Sequence, residues 1–72
     1  MRILTELKLG ESAVICDFSD ESLALKLTEM GCMPGQKITF VQVAPFGCPL
    51  IYKIDDSKIS MRIVEAQTVL IN

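Results

Sequence analysis

Residues 29–44 read EMGCMPGQKITFVQVA, and the way this stretch divides decides the fold. Met30, Cys32 and Met33 crowd together in a chain without histidine, so the first half reads either as a soft-metal site or as the end of a helix. Thioether and thiolate donors select Cu(I)-like ions, whereas a ferrous ion would favour imidazole and carboxylate. No second cysteine or histidine stands at a customary ligand spacing. Gly31 falls where a helix C-cap wants a positive φ, and Cys32 or Met33 follows where an apolar contact often closes such a cap. Pro34-Gly35 fits the centre of a type II turn, Pro fixing the first φ and Gly accepting the positive second one. The first half therefore reads as a helix end and a turn, with no metal ligand set.

The second half, residues 36–44, reads as a long strand whose pattern slips. Ile38 and Phe40 fall on one face, Val41 and Val43 on the other. Either both faces are covered, or a bulge or bend carries the strand from one sheet to another, as small closed barrels require.

Working outward, SDESLALKLTEMG (19–31) predicts one amphipathic helix over about residues 20–30. Ser19 or Asp20 can cap it, and Asp20 and Glu21 put negative charge at its positive end. Leu23, Leu27 and Met30 share its apolar face, and Leu25 falls on the polar one. Upstream, the turn Leu9-Gly10-Glu11 leads into a strand at 13–18. Downstream, Pro45, Gly47 and Pro49 would each weaken a ladder, so 45–49 is a loop. Strands follow at 50–55, 58–63 and 67–71, separated by turns at Asp55-Asp56-Ser57 and around Val64-Glu65-Ala66. In the fourth strand Ile59, Met61 and Ile63 alternate inward. Five short strands and one helix predict a mostly β fold, a single domain over residues 1–72. Closing the sheet into a barrel hides its edges. The pattern fits an SH3-like and an OB-like barrel equally.

Composition narrows the function. A chain of 72 residues has room for one modest core, and half of its residues are hydrophobic, a globular balance. No run approaches the roughly 18 apolar residues of a membrane span, so no direct membrane insertion is expected. The N-terminus carries Glu6 and Lys8 where a secretory signal needs unbroken apolar residues, and the cysteines, odd in number, form no CxxC pair. A reducing, cytoplasmic setting follows. With net charge −2 and scattered basic residues, nucleic acid is disfavoured. Without histidine or a Gly-rich phosphate loop, the sequence predicts no enzyme and no cofactor. Two features point to a partner surface. The loop Pro45, Phe46, Gly47, Cys48 and Pro49 holds an aromatic that either folds over the barrel's end or projects for binding. Leu25 on a polar helix face and Val64 beside Ile63 are apolar excess that would mark an interface if gathered.

Taken in order, three segments resemble the ferrous iron transport protein A family (FeoA). They are Leu27, Met30, Gly31, Pro34 and Gly35; the loop Ala44 to Pro49; and Met61, Arg62, Glu65 and Ala66. Leu4, Leu7 and Gly10 fit as well. The resemblance implies an SH3-like β-barrel with an inserted helix. It also implies a small cytosolic accessory protein that binds a membrane ferrous iron permease with a GTPase domain, and assists or regulates it. The same module ends certain iron- or manganese-responsive repressors, which makes a stand-alone regulatory module the alternative. With no helix-turn-helix ahead of Met1, the free-standing form is the expectation. The partner surface it suggests comprises Leu25, Pro45 to Pro49, Arg62, Ile63 and Val64. Departures from the pattern are Cys48, at a position commonly small or acidic, and Ile63 and Val64, at positions often charged.

Overall fold

The computed structural model describes residues 1–72. Its strands are β1 (Arg2–Ile3), β2 (Ser12–Phe18), β3 (Lys37–Val43), β4 (Leu50–Ile54), β5 (Ser57–Met61) and β6 (Val69–Ile71). Helix α1 (Glu21–Glu29) lies between β2 and β3, and the four-residue α2 (Ile63–Ala66) between β5 and β6. The sheet order is β1-β6-β2-β3-β4-β5, with every pairing antiparallel. This is the mostly β, SH3-like architecture with one inserted helix.

Strand β2 bends the sheet on itself. Its first half, Ser12 to Val14, pairs with β3, and its second half, Ile15 to Phe18, pairs with β6. The register shifts between Ile15 and Asp17, leaving Cys16 as the extra residue and an exposed thiol. A bulge of this kind increases twist and turns the strand. The slip expected in residues 36–44 is a second bulge, at Val41: Phe40 faces Tyr52 while Gln42 faces Ile51. The strand shared between the two halves of the sheet is nevertheless β2.

Four details differ from the sequence reading. The turn expected around Val64-Glu65-Ala66 is the short helix α2, whose four residues are too few to show a helical period. A sixth strand, Arg2–Ile3, pairs with β6; two residues are too few for any alternation to register. The fifth element of the sheet ends at Met61, so Ile63, expected inward, is 42% exposed on α2. Met30, expected on the apolar helix face, is the C-cap residue and 36% exposed.

The core joins Ile15, Ile38, Tyr52, Met61, Val69 and Ile71 from the sheet with Leu27 from α1 and Leu4 from a 3₁₀ turn at Leu4–Glu6, all at most 1% exposed. Phe40 flanks it against Tyr52, ring centroids 5.0 Å apart. Leu4, Leu7 and Gly10 have separate duties. The leucines are buried, and Gly10, at φ +86°, donates its N–H to the Phe40 carbonyl at 2.7 Å.

Helix α1 stops for a local reason. The Cys32 N–H reaches the Leu27 carbonyl at 2.9 Å and the Gly31 N–H reaches that of Thr28 at 3.0 Å, with Gly31 at φ +98°. This is the paired bonding of a Schellman cap, and the apolar contact that accompanies it is Cys32 against Leu27, both fully buried. Burial pushes the Cys32 thiol up to about 11, so it is protonated at neutral pH. EMGCMPG is a helix end.

Candidate partner surface

The loop at residues 44–49 is held by two backbone bonds. The Gly47 N–H donates to the Ala44 carbonyl at 2.8 Å, closing a turn over Pro45-Phe46, and the Ala44 N–H donates to the Pro49 carbonyl at 3.1 Å. Gly47 has φ +86°, and the Cys48-Pro49 peptide is cis. Phe46, inside the turn that the Gly47–Ala44 bond closes, is 100% exposed; it projects rather than folding over the barrel's end. Cys48 is an exposed free thiol.

Strand register brings the Arg62–Val64 segment to the same end of the molecule. Val43 faces Leu50 and Leu50 faces Met61, so the chain leaves β5 beside the base of the loop. Arg62 then caps α2, with Ile63 42% and Val64 59% exposed. Among the acidic residues, Asp55 and Asp56 occupy the β4–β5 turn at the far end of these strands.

Glu65, on α2, is 4% exposed. Its Oε1 accepts the Arg62 N–H at 2.8 Å, the returning half of a capping box. Its Oε2 is buried and lies 2.5 Å from Lys26 Nζ on α1, a close ion pair. Lys26, then the Arg62 N–H, hold the Glu65 carboxyl below the usual carboxylate range. The pair fastens α1 against α2. It thereby brings the helix carrying Leu25, which is 65% exposed, beside the segment carrying Ile63 and Val64. Leu25 points to solvent, and no hydrogen bond or ion pair ties it to the loop.

The structure thus gathers the loop and the Arg62–Val64 segment, with Leu25 on the flanking helix. Sequence reasoning missed the Lys26–Glu65 pair, in which only the carboxylate is buried. One signal was available: Ile3 and Glu6, Lys8 and Glu11, Met33 and Gln36, and Arg62 and Glu65 all share a three-residue spacing. In each the side-chain oxygen accepts the earlier residue's N–H, at 2.7–2.9 Å. Lys26 gave no signal, since a lysine on a helix reads as solvated.

A small antiparallel sheet bent on itself, with one inserted helix, an exposed apolar loop tip and a neighbouring apolar segment, is of SH3-like class. The family profile of the FeoA domain matches residues 3–72, and the chain belongs to that family. It is 40% identical over 60 residues to an Fe(2+) transport protein A/Fe(2+) transporter FeoB fusion protein of Porphyromonas gingivalis. That match takes in 82% of this chain and 7% of the relative's length. The solution structure of iron(II) transport protein A from Clostridium thermocellum superposes with TM-score 0.88 at 36% identity, over 99% of this chain and 44% of that one. Stenotrophomonas maltophilia FeoA complexed with zinc, described as a prokaryotic SH3 domain protein, gives 0.84 at 30% identity, over 100% and 91%. A manganese-dependent transcriptional repressor shares the fold alone, with TM-score 0.84 at 15% identity over 97% of this chain and 40% of that one.

Proposed function

We propose that this chain is an accessory module of ferrous iron uptake. It docks on the cytoplasmic part of a membrane iron permease that carries a GTPase domain, and biases that permease's nucleotide cycle or assembly. The observation that carries this reading is the fusion of a similar domain to an Fe(2+) transporter in one polypeptide, which enforces proximity of the two parts at high effective concentration. No helix of this chain is long and apolar enough to cross a membrane, so in this reading it reaches the bilayer through its partner.

The docking surface is the loop Pro45 to Pro49 with Arg62, Ile63 and Val64, flanked by Leu25. A wholly exposed phenylalanine on a loop pinned at its base suits a hollow on a partner, because aromatic anchors dominate interface energetics and a constrained loop loses little entropy on binding. The test is anaerobic capture from detergent extracts with the tagged chain, then binding to the permease's isolated GTPase domain. Wild type retains the permease; Phe46→Ala weakens binding at least about tenfold, the effect of losing a hot-spot residue. Full retention by both Phe46→Ala and Arg62→Ala would place the interface elsewhere. Retention of soluble proteins only would favour the stand-alone regulatory module, which the fold shared with the repressor supports. That reading requires amide shifts on anaerobic titration with Fe(II) or Mn(II).

A further inference from the structure

The outward face of β2 to β5, away from the loop, carries an unexpected arrangement of charge. Ser12 faces Thr39, Thr39 faces Lys53 and Lys53 faces Lys58, a single row across four strands. The Ser12 and Thr39 hydroxyls are hydrogen-bonded at 2.7 Å. Lys37 is exposed two residues before Thr39, and Lys37, Thr39, Lys53 and Asp55 line an open depression of about 230 Å³. Arg2 and Lys26 have carboxylate partners, at 3.8 and 2.5 Å, but Lys37, Lys53 and Lys58 have none. Like charges placed directly opposite on neighbouring strands destabilise a sheet, yet Lys53 and Lys58 stand so.

We propose that this row is a second interaction surface, and that its occupant is an extended acidic segment of a partner protein lying across the strands. At about 4.8 Å per strand the row spans about 14 Å, the reach of roughly four extended residues. Carboxylates on such a segment meet the lysine pair and relieve its repulsion, while the hydroxyls offer further donors. A flat anionic membrane fits less well. It would meet both Asp55 and Asp56 at the hairpin tip, two carboxylates against three lysines, whereas a narrow segment along the row meets only Asp55, which lines the depression beside Lys53. Arg2 adjoins the row, lining a hollow with Ser12 and Lys37, but neither that hollow nor the lysine depression is lined by an aromatic ring on which nucleic-acid bases could stack. This surface is separate from the Phe46 loop and does not depend on it.

The experiment is an amide-resolved titration of the full chain with a capped hexaglutamate peptide at low and high salt, in parallel with vesicles of phosphatidylglycerol and phosphatidylethanolamine. The expected result is salt-sensitive shifts confined to the neighbourhood of Thr39, Lys53 and Lys58. Lys53→Glu with Lys58→Glu weakens binding about tenfold, two charge contacts each contributing a factor of several. Lys58→Glu alone raises the melting temperature of the free domain by replacing repulsion with attraction, a readout that separates lost binding from lost folding. Shifts spread equally over Lys8 and Arg62, unchanged affinity in the double variant, or response to vesicles without response to the peptide would each overturn the proposal. Phe46→Ala leaves this titration unchanged, so its outcome is distinguishable from that of the loop.

Discussion

Glu65 shows how a residue that reads as an ordinary surface acid becomes structural once buried. It ends the Arg62-x-x-Glu65 spacing, accepts a backbone N–H and pairs with Lys26 from another element. Its folded pKa is depressed, so the stabilisation is present above the unfolded-state value and is lost as pH falls through the folded one. Lys26 is 54% exposed, and solvent screening discounts the ionic part; the buried acceptor matters more. Glu65→Gln is expected to lower stability at neutral pH by about 1–3 kcal/mol, the range for a compromised buried polar group. The gap to wild type narrows as pH drops below the carboxylate range. Urea unfolding at several pH values measures this, and a gap independent of pH would refute the ion pair's part in it.

At the scale of elements, the decisive features are where helices and strands stop or bend. Gly31 terminates α1 at φ +98°, and a Cβ added there meets no atom within 4 Å. Gly31→Ala is therefore expected to cost about 1–2 kcal/mol, the backbone penalty of the left-handed region alone, with an unchanged fold. A much larger loss, seen by thermal unfolding, would mean that the cap positions more than the helix end. The bulges at Cys16 and Val41 act similarly, since each turns a strand without breaking the sheet. The bulge at Val41 was legible as a slip in the apolar pattern. The one at Cys16 was not, because AVICDF alternates too briefly to reveal an extra residue.

At the scale of the whole molecule, the last strand is central. β6 lies between β1 and β2, so residues 69–71 form an interior strand of the sheet although they are its last strand in sequence order. A domain of this length has on the order of 4–11 kcal/mol of stability. Ile71, wholly buried, is expected to cost about 2–5 kcal/mol when replaced by alanine, a large share of that total. The urea midpoint should fall with little change in slope; full stability would mean β6 is not integral. Local chemistry alone determined helix α1, its cap, the turns at Pro34-Gly35 and Asp55-Asp56, the loop and the mostly β character, because 3.6- and 2-residue periods, prolines and glycines act within a few residues. The order of motifs carried the family resemblance in the same way. Tertiary structure alone decided which segments meet. Strand register set the Phe46 loop beside Arg62–Val64 and aligned Ser12, Thr39, Lys53 and Lys58 in one row. Packing of the folded chain brought Lys26 to the buried Glu65 carboxylate. Such neighbours are far apart in sequence, and pairing between strands and enclosure from water are properties of the folded chain that no local pattern encodes.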